Sequence, residues 1–220
     1  MKINQKKYIP LIWPIDKPSK ELNKKEAELF FNWFINQIDG RSDYLRQIVS
    51  KQMNVPMSSL DYSFDSLTIV WKWFLQIAVI SKTPKSILNI IENELTKASH
   101  PPDFIDLVVS ESKSELSVIT QYVIRDIGMY VGKVFITNHS TLRWEYHTSK
   151  KDSKTNVPQI FGFVNNDYDP PFELEFDPIH FTEMQASKLL DKSQNEKDLY
   201  NICVRWSQWI PNRKYYTLGS

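Results

Sequence analysis

The stretch Ser114–His147, SELSVITQYVIRDIGMYVGKVFITNHSTLRWEYH, is where the chain changes character. In its first part, Ser114 to Val131, Leu116, Ile119, Tyr122, Val123, Ile127 and Tyr130 fall on one face at helical spacing. Gly128 and Gly132 lie one turn apart, which in a soluble chain lets a helix end come close to a sheet. The second part is rich in β-branched and aromatic residues and predicts strands over Lys133–Thr137 and Thr141–His147. Asn138-His139-Ser140 is the turn between them. Two further strands follow over Pro158–Val164 and Phe172–Phe176. In the second, Phe172, Leu174 and Phe176 alternate with Glu173 and Glu175, the pattern of a half-exposed strand.

Upstream, the pattern is helical. Pro10, Pro14 and Pro18 hold Tyr8–Pro18 as an extended arm, with Ile12, Trp13 and Ile15 expected across the core. Asn23 caps a helix with Glu26 three residues on, and Ala27, Phe30, Phe31, Phe34, Ile35 and Ile38 form its apolar stripe. Asp39-Gly40 is expected to stop it. A second helix runs from Ser42 to before Pro56. A third, over Asp65–Ser81, is apolar nearly all round and should be central and buried. A fourth starts at Thr83-Pro84 and runs to Ala98, ended by His100-Pro101-Pro102. Downstream, Leu199, Ile202, Cys203, Trp206, Trp209 and Ile210 predict a closing helix stopped by Pro211.

Helices, then strands, then a helix predict an α+β fold. Its helical half spans residues 1–100. Residues 101–220 supply a helix, a small antiparallel β-meander packed on helices, and the C-terminal helix. We expect one fused domain over 1–220, with His100–Asp106 as the only candidate boundary.

Composition narrows the function classes. The 220 residues carry 27 basic and 26 acidic groups, so no overall basicity argues for nucleic acid or anionic lipid. Five scattered glycines exclude a glycine-rich phosphate loop, and the single Cys203 excludes an internal disulfide framework and a thiolate zinc site. The N-terminus lacks a signal-peptide core, and Leu67–Ile80, interrupted by Lys72, is too short to cross a bilayer needing ~20 apolar residues. A reduced, cytoplasmic protein without a cofactor or a membrane partner is expected. Lysine outnumbers arginine 21 to 6, and Ile and Asn are common, as in an AT-rich bacterial genome.

Catalytic motifs are missing. His100, His139, His147 and His180 show no metal-ligand spacing, no G-x-S-x-G elbow exists, and Cys203 lies on an apolar stripe. Glu111-Ser112-Lys113 has the spacing of a nuclease E-x-K element but falls in a polar loop. Arg205, Trp206, Trp209, Arg213, Lys214, Tyr215 and Tyr216 interleave bases with aromatics, as a single-strand binder would, yet the tryptophans fit the buried stripe of the last helix.

Charge is uneven, however. Residues 1–55 carry ten basic and six acidic groups, net +4, whereas residues 161–199 carry three and nine, net −6. Within the second span, Asp167, Asp169, Glu173, Glu175 and Asp177 stand together beside Tyr168, Phe172 and Phe176. One reading is an edge strand whose charges prevent edge-to-edge pairing. The other is a negative, aromatic surface that docks a basic partner.

Trp13-Pro14-Ile15, Glu26-Ala27 and Trp33-Phe34, with Arg125-Asp126-Ile127-Gly128-Met129-Tyr130-Val131-Gly132-Lys133, Leu142-Arg143-Trp144-Glu145 and Pro158-Gln159-Ile160-Phe161-Gly162-Phe163, resemble a poorly characterised group of cytosolic bacterial proteins. Some similar proteins look like immunity partners of secreted toxins. The resemblance covers about half the chain and brings no catalytic motif. It implies a non-enzymatic protein-binding module, an immunity-type inhibitor whose partner is a basic protein such as a toxin. The alternative is a metal-dependent hydrolase using His139, His147, Glu145 and nearby acids.

Overall fold

The computed structural model describes residues 8–97, 112–149 and 154–211. Their order is α1 (Lys24–Met53), α2 (Phe64–Ile77), β1 (Ile80–Lys82), α3 (Lys85–Lys97), β2 (Ser114–Leu116) and α4 (Val118–Asn138). Then come β3 (Arg143–Glu145), β4 (Gln159–Asn165), β5 (Phe172–Phe176), α5 (Pro178–Asp191) and α6 (Asp198–Ser207). Two small antiparallel sheets, β1-β2 and β3-β4-β5, accompany the helices, so the fold is α+β. The expected boundary at His100–Asp106 lies outside the described residues.

The capping box at the start of α1 is formed. Glu26 N donates to Asn23 Oδ1 at 3.0 Å and Asn23 N to Glu26 Oε2 at 2.8 Å, a device worth ~1 kcal/mol. The expected stop at Gly40 does not occur, and α1 is one helix of 30 residues. Its buried side, Ala27, Phe30, Phe34, Ile38, Ser42, Leu45 and Val49, passes Gly40 unbroken. A mid-helix glycine costs only ~1 kcal/mol, less than one buried Leu or Phe returns. The helix ends instead at Asn54, which takes the left-handed conformation at φ 52°.

The central helix α2 is as apolar as its sequence implies, burying Trp71, Trp73, Phe74 and Leu67. Its buried indoles are satisfied, Trp71 donating to Asn195 O at 3.1 Å and Trp73 to Gln52 Oε1 at 2.6 Å. It stops at Ile77, four residues before Ser81. Val79 and Ile80 are exposed, and Ile80 pairs with Leu116 across β1-β2.

The largest correction concerns α4. Residues 114–116 form a strand, Ser117 caps the helix that follows, and the strand expected over Lys133–Thr137 is its last turns. Val134 and Phe135 are β-formers by propensity, but both are completely buried here. Tertiary packing overrides so weak a preference. The expected turn Asn138-His139-Ser140 is the end of this helix, where His139 N donates to Phe135 O at 3.0 Å. Both glycines of α4 do provide close approach: Gly132 faces Trp144 of β3 and Gly128 faces Ile179 of α5.

Helix α5, absent from the sequence reading, starts on Asp177-Pro178, an N-cap acid followed by proline at the first helical position. In the second sheet β4 is central, pairing Trp144 with Ile160 on one side and Phe163 with Leu174 on the other. The pairing slips between Ile160 and Phe163, where Gly162 holds φ +104°. A Cβ at Gly162 would lie 2.5 Å from Thr141 O, so only glycine fits.

The main core joins Tyr8 of the arm to Ile210 beyond α6, with α4 packed against α1, α2 and α5. Trp13 and Ile15 lie on the Phe30 cluster as expected, whereas Ile12 points to solvent.

Candidate binding surface

The acidic segment is divided by the fold. Asp167 and Asp169 are exposed on the turn between β4 and β5. Tyr168 and Phe172 beside them are 60% and 44% exposed, with ring centroids 5.1 Å apart, so this lip is both negative and aromatic. Glu173 and Glu175 lie on β5, at the edge of the sheet. Glu173 accepts from Arg143 Nη2 at 3.3 Å, and Glu175 contacts His147 Nε2 at 2.9 Å. Arg143 also pairs with Glu145. The outer face of the sheet therefore carries its own partners for these acids, Arg143 on β3 and His147 just beyond it.

Asp177 does not belong to a surface. It is buried, and its Oδ1 accepts from Ile179 N at 3.1 Å and His180 N at 3.0 Å as the N-cap of α5. Burial pushes its carboxyl above the ordinary range, against the pull of those N–H groups and of His180. Its acidity is spent on the helix, because Pro178 starts a helix immediately after the strand.

The residues of the metal alternative have separate surroundings. His139, at the end of α4, packs edge-on to Phe64 at 6.1 Å, while His147 pairs with Glu175 and rests 4.9 Å from the Phe161 ring. Among the described residues no three His, Cys, Asp or Glu side chains are grouped to hold a metal ion. His100, Glu111, Arg213, Lys214, Tyr215 and Tyr216 lie outside the described residues. Trp206 packs on Phe163, Phe176, Phe181 and Trp209 at 4.8–5.3 Å between ring centroids, and is unavailable for stacking bases. Cys203 is fully buried, and burial alone raises its thiol far above the ordinary range.

One constellation escaped the sequence reading, which gave Asp126 no side-chain partner. Asp126, on α4 and wholly buried, takes both nitrogens of an Arg41 fork and the Tyr8 hydroxyl. Arg41 Nε lies 3.0 Å from Asp126 Oδ1, and Arg41 Nη2 also donates to Ile9 O at 2.9 Å. Ile9 N donates to Tyr44 Oη at 2.7 Å, and Arg41 lies 4.5 Å over the Tyr44 ring. Burial raises the Asp126 carboxyl while Arg41 and Tyr8 pull it down. The network pins the start of the arm to α1 and α4. The sequence signal was an aspartate in the middle of an apolar helix.

No protein-family model, curated protein or solved structure matches this chain. The functional reading therefore rests on the surface itself. Among the described residues no helix is long and apolar enough to cross a membrane.

Proposed function

We propose that this chain is a non-enzymatic, cytoplasmic protein-binding module that docks a basic partner on the lip formed by Asp167, Tyr168, Asp169, Phe172 and Glu173. The observation that carries this reading is the exposure of two large aromatic rings beside the exposed carboxylates of Asp167 and Asp169, next to a sheet edge. Exposed aromatics flanked by charge provide contact area and steering together. The edge strand's acids repel a second copy of itself while attracting lysine- and arginine-rich surfaces. Glu175, two residues along the strand from Glu173, is paired with His147, and Asp177 caps α5. An immunity-type inhibitor of a toxin is the form of this activity that the resemblance implies.

The experiment is capture of partners from the native host by the full chain, followed by affinity measurement on the purified pair. D167K/D169K and Y168A should each weaken binding at least about tenfold, the charge change acting mainly on the association rate and its salt dependence. Retention of affinity and rate in both variants rejects this surface.

A further inference from the structure

Of the three half-buried arginines among the described residues, Arg41 and Arg46 each hold a carboxylate, those of Asp126 and Asp43. Arg125 of α4 holds none, and its guanidinium has no hydrogen-bond or ion-pair partner among the described residues. Two rings fix its position instead. Its Cζ lies 4.7 Å from the centre of the Trp13 ring and 5.3 Å from that of Tyr122. Stacking of this kind uses the faces of a guanidinium and leaves its in-plane N–H groups available.

Arg125 lines a cleft of about 380 Å³ between the arm and the turn before β4. Trp13, Ile15, Phe30, Val157 and Pro158 supply its apolar lining. Lys17 also borders it, but its ammonium is committed to Glu26 at 2.8 Å. Asp16, the one carboxylate among the described residues of the lining, is exposed to solvent. Asp126, next to Arg125 in sequence, is fully engaged by Arg41 and Tyr8. The cleft thus holds one fixed cation with no direct partner among the described residues, although the Asp126 and Glu183 carboxylates feel its charge, on an apolar bed at the small end of the volume range of small-molecule sites.

We propose that this cleft binds a small organic carboxylate with a flat apolar body, the carboxylate on the Arg125 fork and the body against Trp13, Ile15 and Pro158. One arginine matches one planar monoanion through two parallel hydrogen bonds. A phosphate dianion would need the second cation that Glu26 withholds. The site shares no residue with the acidic lip and stands or falls independently of it.

The test titrates the full chain with 2-naphthoate at physiological salt, following the indole N–H of Trp13 and the Nε–H of Arg125 by NMR. The expected result is saturable binding with the largest shifts at these two groups. Neutral 2-naphthalenemethanol should bind at least about tenfold more weakly, because it cannot pair with the guanidinium. R125Q should abolish that preference, and R125K should keep only part of it, since lysine lacks the fork. Equal binding of the alcohol and the acid by the wild-type chain, or shifts centred elsewhere, overturns the proposal. That comparison needs no variant, so it decides the matter even where R125Q fails to fold.

Discussion

The indole of Trp144 occupies the space that any side chain at Gly132 would need. A Cβ built on Gly132 overlaps the six-membered ring of this tryptophan, and Trp144 Cη2 alone would be 2.8 Å away. Four residues earlier, a Cβ on Gly128 would stand 2.6 Å from Ile179 Cγ1 and 2.7 Å from its Cα. The glycine pair thus forms a groove on α4 that receives β3 at one end and the start of α5 at the other.

Alanine at either position would normally gain ~1 kcal/mol of helix propensity. Here it must displace a packed ring or another helix's backbone, an overpacking cost of typically 1–3 kcal/mol. G128A and G132A are therefore expected to lower stability in urea denaturation. G128A should be the less forgiving, because its obstacle includes backbone. An unchanged midpoint for both would show that the groove yields freely.

Gly40 gives the opposite sign. It lies inside α1 with nothing within 4 Å of a built Cβ. G40A should stabilise by about 0.5–1 kcal/mol, a Tm rise of a few degrees for a chain of this size. A calorimetric decrease would mean that α1 needs its glycine for a bend.

The Asp126 network should dominate single-site losses. D126N leaves Arg41 half-buried without its anion, and removing one partner of a buried pair typically costs 3–5 kcal/mol. Y8F deletes one hydrogen bond to a charged acceptor, about 1.5–3 kcal/mol, and should cost less. Chemical denaturation of the two single variants and the double variant measures their coupling. Strict additivity would exclude a shared network.

Alkaline sensitivity follows from two tyrosines. Burial is the main cause that pushes the hydroxyls of Tyr62 and Tyr130 up to about 12 from the ordinary 10.0. The unfolded chain loses these protons near pH 10 while the folded chain keeps them. Their contribution is therefore complete below pH 10 and is lost as pH rises towards 12. For Tyr130, which donates to Ser66 Oγ at 2.7 Å, the slope approaches about 1.4 kcal/mol per pH unit. Stability measured from pH 9 to 12 should fall in that window, and Y130F should flatten the fall.

Legibility in the sequence followed the strength of the local signal. The Asn23–Glu26 box, the extended arm and the strand over Phe172–Phe176 are local patterns found in place, but Phe172 at the strand's start is exposed, and α6 ends at Ser207, short of Trp209, Ile210 and the expected stop at Pro211. Errors arose where a local preference met a larger packing demand. Gly40 looked like a stop but sits on the solvent side of a continuous stripe, and Val134 and Phe135 looked like a strand but fill the core from a helix. Asp177-Pro178 was a readable helix start, obscured by the run of acids before it. As for the sites, Asp167 and Asp169 are exposed as the charge pattern suggested. The partners of Glu173 and Glu175, the burial of Asp177 and the isolation of Arg125 depend on residues far away in the chain. Periodicity does not register such pairs.

The slip at Gly162 carries a consequence for the whole second sheet. In an unbroken strand Phe161 and Phe163 would point the same way. Instead Phe161 meets His147 on the charged side, while Phe163 meets Phe135, Phe176 and Trp206 within. One backbone angle thus reverses the parity of β4 halfway along its length. A single ribbon can then seal the hydrophobic interior at both of its ends while burying one aromatic ring on its other face, beneath Arg143 and His147.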